Sequence, residues 1–461
     1  MTNHRVESSF RDPSGFLFLQ NNILYRQINQ SYKENYDHLM NSGLYKKLVD
    51  VELLIPHKEI SIAPSNPQIA YKIIQPEFIS FISYPYEWCF SQIKQAALTT
   101  IEIQKIALEY GMTLKDCSAY NIQFRNYKPV LIDTLAFEKY QEGQIWKGYR
   151  QFCQHFLAPL ALMSHRDIRL NQLLRIYIDG IPLELASKLL PMRTHLMFSL
   201  FAHLHAHAKS QKRYESKEIK IKNYNLSKRS FIGIIESLHS TIKKQNWHPE
   251  GTEWGDYYSD TNYSESSFEQ KKKIISSLLE RINPKSLWDI GSNTGIFSRI
   301  ASKKGVQTIS FDVDPVAVEK NFIECTKKKD LNLLPLLIDL TNPSPDIGWH
   351  NQERISFIKR GPADVILALA LIHHLAISNN VPLDMIGEFF AKNCKHLIIE
   401  FVPKEDSQVR RLLATREDVF TDYTQDNFET QFKKVFTIQD KLKIDDSQRT
   451  IYYMQKKDLS N

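Results

Sequence analysis

Cysteine is scarce in this chain of 461 residues, and its placement argues against two kinds of site. The five cysteines stand far apart, with no CxxC pair and no regular spacing: Cys89, Cys117, Cys153, Cys325 and Cys394. This distribution argues against a disulfide framework and against a thiolate zinc site. It fits a protein that works in a reducing compartment, and we expect no metal site built from these thiols.

Long apolar runs are also absent. The longest, VILALALI at residues 365–372, is far too short to cross a lipid bilayer. The first residues, MTNHRVESSFRD, are polar and lack the apolar core of a secretory signal. We therefore expect a cytoplasmic protein with no membrane partner.

Basic charge is in excess, at +7 overall, but the excess is confined to one segment. Between Lys209 and Ser230, eight basic residues stand against two acidic ones, which is most of the surplus. The rest of the chain is nearly neutral, so we do not expect a nucleic-acid partner. The segment predicts a solvated linker, so we divide the chain into a first domain at 1–208, a basic linker with a connecting helix at 209–250, and a second domain at 251–461.

The first domain is predicted to be mainly helical, in an α+β arrangement. The stretch IKQAALTTIEIQKIALEYG has apolar residues at helical spacing and stops at Gly111. The runs AYNIQF and PVLIDTLAF, joined by the polar turn RNYK, predict a β-hairpin.

The second domain alternates strands with helices, which predicts a doubly wound α/β sheet. A capping-box pattern, Ser266 to Glu269, opens the first helix. The predicted parallel strands are SLWDI, VQTISFD, LLPLLID, ADVILALAL and HLIIEFV. The final runs, VFTIQDKLKI and RTIYYMQKK, predict a hairpin added at the sheet edge.

The turn after SLWDI has the pattern of a ligand cradle. Asp289 ends the strand, Gly291 opens the turn, and Gly295 is expected to let the next helix pack closely; we predict that these three residues and Asn293 bind the ligand. Asn293 stands where nucleotide-binding turns usually carry glycine, and asparagine tolerates the left-handed conformation. An acid before the turn would repel a pyrophosphate, whereas it suits a ligand with an ammonium or sulfonium group.

Two further acids end the next two strands. Asp312, in FDVDP, follows Asp289 by about the 20 residues expected of a ribose-binding acid. Asp339, in LLIDL, is placed to accept a hydrogen bond from an adenine amino group. Tyr258 and Tyr263 are candidates to close over the ligand, and a plain packing role is equally open for them.

Residues 284–457 resemble class I S-adenosylmethionine-dependent methyltransferases. DIGSNTG matches the first motif of that family, FDVDP the second and LLIDL, with Leu340, the third; ALIHHL is similar to the segment after strand four. The resemblance implies a Rossmann-like sheet with an antiparallel last strand. It also implies S-adenosylmethionine as the cofactor and methyl transfer to an unidentified acceptor: a small molecule, a glycan or natural product, or a protein.

Similarity to a group of long, two-part bacterial methyltransferases extends over nearly the whole chain. It is carried by WGDYYSDTNY, EFVPKEDSQVRRLLATRED and SYPYEWCFSQIKQAAL. Some members of that group are described as nodulation proteins. The resemblance transfers no substrate to this chain.

Three residues are candidates for contact with the acceptor. His373 and His374 follow the fourth strand, either as catalytic groups or as a helix start with one ring buried and one over the cofactor. Glu400 ends the apolar strand HLIIEF, where partial desolvation would suit a base.

The first domain raises a second possibility. Asp116 and Asn121 have the D-x-x-x-x-N spacing, and Asp133 follows a hairpin, which resembles the core of protein-kinase-like folds. By that resemblance Asp116 would be the base, and Asn121 and Asp133 would hold Mg²⁺. No glycine-rich loop precedes these residues, and the second acid stands in IDT rather than DFG. The open alternatives are an ATP-using bifunctional protein, a degenerate kinase-like scaffold that recruits the acceptor, and a non-catalytic module that binds S-adenosylmethionine.

Overall fold

The computed structural model describes residues 4–207, 226–249, 264–414 and 417–458. The chain divides into two compact units: the first is Met1–His248 with Asp346–Arg354, and the second is Pro249–Pro345 with Ile355–Asn461. The helix Lys228–Lys244, which falls in the predicted linker, packs on the helix Phe90–Glu109 of the first unit.

The first unit contains a five-stranded antiparallel sheet that the sequence analysis did not identify. Its spatial order is β1-β2-β3-β5-β4. The strands are β1 His4–Arg5, β2 Gly15–Gln20, β3 Ile23–Asn29, β4 His57–Glu59 and β5 Ala70–Pro76. The helices Lys33–Asn41 and Leu44–Asp50 separate β3 from β4. Ile28 and Ile74 of the sheet share a buried cluster with Tyr32 and Tyr36.

The predicted hairpin of the first unit is confirmed as β7 Ile122–Arg125 paired with β8 Lys128–Leu131. Its turn residues, Asn126 and Tyr127, both have positive φ, at 51° and 59°, as a type I′ turn requires. A second pair joins β6 Met112–Leu114 to β9 Phe137–Lys139. The α-helices that follow are Tyr149–Phe152, Ala158–His165, Leu173–Ile176, Leu183–Leu189 and Phe198–Leu200.

The second unit is built on a seven-stranded sheet, as predicted. Its order is β12-β11-β10-β13-β14-β16-β15, with β10 to β14 parallel and the last two strands antiparallel. The strands are β10 Ser286–Ile290, β11 Gln307–Asp312, β12 Leu333–Leu337, β13 Ala363–Ala368, β14 Cys394–Phe401, β15 Phe436–Lys443 and β16 Thr450–Lys456. This is the Rossmann-like arrangement with an antiparallel last strand that the resemblance implied.

The helices of the second unit connect these strands. They are Glu265–Ile282, Ser298–Ser302, Pro315–Lys328, Leu383–Asn393, Ser407–Leu413 and Gln425–Phe432. The N-cap of the first helix is Ser264, two residues before the predicted cap Ser266, because the Ser264 hydroxyl accepts from the amide of Ser267. Its apolar side packs on the sheet through Ile275, Leu278 and Leu279.

The five cysteines are buried and carry free thiols. Every helix in the described ranges is either too short or too polar to span a bilayer.

Candidate cofactor site

A pocket of about 380 Å³ opens at the carboxyl ends of the parallel strands of the second unit. Strand β10 pairs with β11 on one side and with β13 on the other, so the strand order reverses beside it. Ligands of open α/β sheets bind at such a reversal. The pocket is lined by Asp289, Gly291, Asn293, Asp312, Asp339 and Leu340, six of the predicted cofactor residues.

The turn after β10 has the backbone conformation that its sequence requires. Gly291 and Gly295 have φ values of 74° and 77°, and Asn293 takes the left-handed conformation at φ 50°. A Cβ on Gly295 would come within 2.5 Å of the side chain of Asn321, on the helix Pro315–Lys328. Gly295 therefore does not line the pocket but lets that helix pack against the turn.

Asp312 ends β11 with its carboxylate fixed by the turn. Oδ2 accepts from the backbone amide of Asn293 at 2.7 Å, and Oδ1 accepts from the amide of Asp314 at 2.9 Å. Burial raises the pKa of Asp312 to about 6, against the effect of these hydrogen bonds. The carboxylate is thus oriented into the pocket wall before any ligand arrives.

Asp289 lies at the floor of the pocket and is almost fully buried. Its Oδ2 accepts from the Ser298 hydroxyl at 2.5 Å. Burial raises the pKa of Asp289 to about 7; the hydrogen bond from Ser298 opposes this, while the nearby charge of Asp312 adds to it. Two buried carboxylates in one pocket wall make a site that favours a cationic ligand.

Asp339 occupies a different environment, at the exposed rim. Its Oδ1 accepts from the amide and the hydroxyl of Thr341, at 2.8 and 2.6 Å, which closes the turn after β12. Leu340 follows it and lines the pocket as an apolar wall. The three predicted acids therefore meet at one pocket, with two buried and one at its mouth.

Glu400 differs from its predicted role as an acceptor-contacting base. It is completely buried and does not line the pocket; its Oε2 accepts from Lys271 Nζ at 2.7 Å. Lys271, from the helix Glu265–Ile282, lines the pocket in its place, with its ammonium 4.9 Å from the Phe297 ring centroid. The helix places a cation between Glu400 and the pocket, which sequence spacing between strands did not reveal.

The sequence contains a signal that Lys271 is buried. It stands four and seven residues before Ile275 and Leu278, which puts it on the buried face of its helix. A lysine in line with an apolar stripe needs a buried partner. Burial lowers the pKa of Lys271, and the charge of Glu400 opposes that shift.

The two histidines have separate environments. His374 lines the pocket, whereas the neighbouring His373 is buried outside it. Burial lowers the pKa of His374 to about 4 and that of His373 well below its usual value. Both rings are therefore neutral near pH 7, with one buried and one facing the pocket.

Several pocket residues were not predicted from the sequence. Ala370 and Leu371 follow β13, and Ala370 has an unusual positive φ of 50°. The other unpredicted side chains of the wall include Phe268, Phe297, Phe311, Leu375, Ser378, Asn379 and Leu412. Tyr258 and Tyr263 lie outside the described residues, so their proposed contact with the ligand stays a prediction.

A second group of predicted residues lies in the first unit. The Asp116 carboxylate accepts from the backbone amide of Ser118 at 2.9 Å, and burial, followed by the charge of Asp133, raises the pKa of Asp116. Asp133 is buried, and its Oδ1 lies 2.6 Å from Arg26 Nη1 on β3. In the described ranges, no group of three or more His, Cys, Asp or Glu side chains has the arrangement of a metal site.

Comparison with known proteins gives two sequence matches. The model of a family described as a methyltransferase domain matches residues 263–435. The whole chain is similar to the nodulation protein NoeA of Rhizobium meliloti (strain 1021), with 34% identity over 464 residues, covering 98% of this chain and 96% of that protein.

Solved structures give weaker likenesses. The bifunctional kinase-methyltransferase WbdD is 12% identical and covers 42% of this chain and 40% of its own, with a TM-score of 0.29. The N-methyltransferase NodS from Bradyrhizobium japonicum WM9 is 13% identical over 42% of this chain and 98% of its own, with a TM-score of 0.31. The magnesium protoporphyrin IX methyltransferase ChlM from Synechocystis PCC 6803 is 13% identical. The match covers 43% of this chain and 91% of that protein, also with a TM-score of 0.31. At these scores the structural likenesses carry no argument about this chain.

Proposed function

The chain belongs to the family of the nodulation protein NoeA and carries a methyltransferase domain, and from this premise we propose that it transfers a methyl group from S-adenosylmethionine to an acceptor. The observation that carries the proposal is the pair of buried carboxylates, Asp289 and Asp312, in one pocket at the reversal of the strand order. A buried pair of acids suits a cationic ligand, and the acid ending β11 suits a ribose.

Each end of the cofactor has a matching group in the pocket. Asp289 offers a negative charge to the ammonium and the sulfonium at the amino-acid end of the cofactor. Lys271 offers a positive charge to the carboxylate at the same end. Asp312 presents acceptors for the ribose hydroxyls, and Asp339 with Leu340 forms the wall for the adenine. Gly291 keeps the floor open, since a Cβ there would come within 3.2 Å of Leu371.

The residues of the chain promote methyl transfer mainly by positioning the reactants and excluding water, and less by supplying charge. When bound, S-adenosylmethionine supplies an electrophilic methyl group. Apolar side chains around it, among them Phe268 and Leu371, exclude water from the pocket. His374, neutral near pH 7, is one pocket side chain able to accept a proton from an acceptor hydroxyl. The acceptor is a small molecule, a glycan or natural product, or a protein.

Calorimetric titration of S-adenosylmethionine into the purified full-length protein tests the proposal. We expect saturable binding with one site per chain. Decarboxylated S-adenosylmethionine should bind at least about tenfold more weakly, because it lacks the carboxylate that is proposed to accept from Lys271. An absence of saturable heat with S-adenosylmethionine would contradict the cofactor assignment. Equal affinity for both ligands would contradict only the role of Lys271.

Affinity for S-adenosylmethionine is expected to rise with pH between about 5.5 and 8. Asp289 and Asp312, with pKa values of about 7 and 6, are partly protonated at the start of that range. The cationic ligand favours their ionised forms, so binding releases protons. The gain is at most about tenfold per pH unit for each proton released, and it ends above both pKa values.

The measurement is the dissociation constant across this pH range, with binding heats compared in two buffers of different ionisation enthalpy. S-adenosylhomocysteine is the matched control because it lacks the sulfonium charge, so its pH dependence should be shallower. A flat profile for S-adenosylmethionine, with no buffer-dependent heat, would mean that neither carboxylate faces the ligand.

A second candidate function rests on the acids of the first unit. The Arg26 guanidinium contacts the carboxylate of Asp133, the residue that a kinase-like site would use to hold Mg²⁺. That contact favours a scaffold that recruits the acceptor over an ATP-using enzyme. In a parallel calorimetric cell we expect no saturable heat from Mg-ATP. Saturable binding that disappears in Asp133→Asn would instead support the bifunctional alternative.

A further inference from the structure

One end of a buried ion pair lines the cofactor pocket. Lys271 is 3% exposed and Glu400 is fully buried, with 2.7 Å between Nζ and Oε2. Lysine is almost never buried this deeply unless a partner balances its charge. Ion pairs of this kind add little to stability, because the loss of hydration of both ions offsets their attraction. The place of this pair at the wall of a pocket points to a role in binding.

Glu400 has a fixed place in the fold, whereas Lys271 is held there by its contacts. Glu400 lies in β14, between β13 and β16 in the sheet, and its register partner on β16 is Ile451. Lys271 projects from the helix Glu265–Ile282, and a lysine side chain has many rotamers that are costly to order. The hydrogen bond to Glu400 and the contact with the Phe297 ring hold the side chain in one of them.

The Lys271 ammonium is able to contact Glu400 and a ligand at the same time. An ammonium has three N–H donors, and the hydrogen bond to Glu400 uses one of them. Lys271 shares its part of the pocket wall with Asp289 and Gly291, where the amino-acid end of the cofactor is proposed to bind. A ligand carboxylate at that end would place the cation between two carboxylates.

The charge of Lys271 depends on the groups around it. Burial lowers the pKa of Lys271, and the charge of Glu400, with its hydrogen bond, is the largest effect that opposes this shift. The charge of Arg449, which is paired with Asp406, adds to the lowering, and the charge of Asp289 opposes it more weakly. A neutral amine would have no charge to offer a ligand carboxylate.

We infer that Glu400 is a positioning residue for the cofactor, which holds the Lys271 ammonium, in its charged form, where the carboxylate of S-adenosylmethionine binds. The inference rests on the proposed function and deepens it. Glu400 then selects for a ligand with a carboxylate, although the acid does not itself line the pocket. Since Glu400 acts through Lys271, its replacement should weaken the recognition of that one group of the ligand.

The test is calorimetry with the full-length protein at pH 7. The quantity is the dissociation constant of decarboxylated S-adenosylmethionine divided by that of S-adenosylmethionine. This ratio should be at least about ten for the wild type and about three or less for Glu400→Gln, whose amide keeps the size of the side chain but removes the charge. The difference between the two proteins should shrink as the pH falls toward 5.5, because a lysine with a lowered pKa then regains its proton.

Further variants show whether Glu400 acts through Lys271. Lys271→Met should lower the ratio as Glu400→Gln does, and adding Glu400→Gln to Lys271→Met should not lower it further. Glu400→Asp, which keeps the charge on a shorter side chain, should give an intermediate ratio. The matched control is Glu319→Gln, which changes another buried acid of the second unit, outside the pocket, and should keep the wild-type ratio.

Circular dichroism first establishes that the variants are folded. An unchanged ratio in Glu400→Gln, or in Glu400→Asp if Glu400→Gln does not fold, would overturn the inference and leave the proposed function standing. Equal affinity of the wild type for the two ligands would also overturn it, because Lys271 would then select no carboxylate. An absence of saturable S-adenosylmethionine binding to the wild type would instead contradict the proposed function, and the inference with it.

Discussion

Replacing Asp312 with alanine is expected to weaken S-adenosylmethionine binding by about 100-fold or more. The carboxylate is the proposed acceptor for the ribose hydroxyls, and hydrogen bonds to a charged group contribute about 1.5–3 kcal/mol each. The same carboxylate also accepts from the amides of Asn293 and Asp314, so the turn loses two anchors. Isothermal titration at pH 8, where Asp312 is ionised, measures the effect.

Asp312→Asn is the graded control because its amide oxygen keeps one acceptor in place, and an intermediate affinity is expected. Glu280→Ala, an exposed acid on the helix Glu265–Ile282, should bind the cofactor like the wild type. A dissociation constant for Asp312→Ala within twofold of the wild type would remove this acid from the cofactor site.

The second large effect concerns stability, through Arg449. Its Nε and Nη2 donate to Asp406 Oδ2 and Oδ1, at 2.7 and 3.0 Å, and both side chains are buried. Arg449→Met would leave Asp406 charged and buried without its partner. The cost of breaking one half of such a pair is about 3–5 kcal/mol. Urea denaturation monitored by circular dichroism should show a lower midpoint.

Two companion variants separate the buried charge from lost packing. Adding Asp406→Asn to Arg449→Met removes the charge but keeps an amide oxygen to cap the helix Ser407–Leu413, so part of the stability should return. Arg281→Met breaks the exposed ion pair with Asp440 and should change the midpoint little. Equal losses for Arg449→Met and Arg281→Met would contradict the argument from burial.

The sheet of the second unit could be predicted because each strand carries its own signal. SLWDI and HLIIEF are short apolar runs bounded by turn residues, and helical patterns separate them. The sheet of the first unit was missed although GFLFLQ and ILYRQIN also form strands. Buried and exposed residues do not alternate regularly along those strands, and no alternation with helices marks a repeating unit.

The cofactor pocket shows the same division. Asp289, Asp312 and Asp339 could be placed together because the carboxyl ends of parallel strands share one edge. The partner of Glu400 could not be predicted in this way, because Lys271 lies on a helix far away in the sequence. The pairing of Arg26 with Asp133 joins a strand to a distant loop in the same way.

The sequence by itself determined the alternation of strands and helices in the second unit, the conformation of the turn at Asn293 and the acids at the strand ends. These features depend on near neighbours and on strand order, which local patterns encode. Only the tertiary structure decided that Lys271 faces the pocket in front of Glu400. The spacing of Lys271 indicates a buried helix face, but which distant segment a side chain meets depends on how the whole chain packs, and no local spacing specifies that.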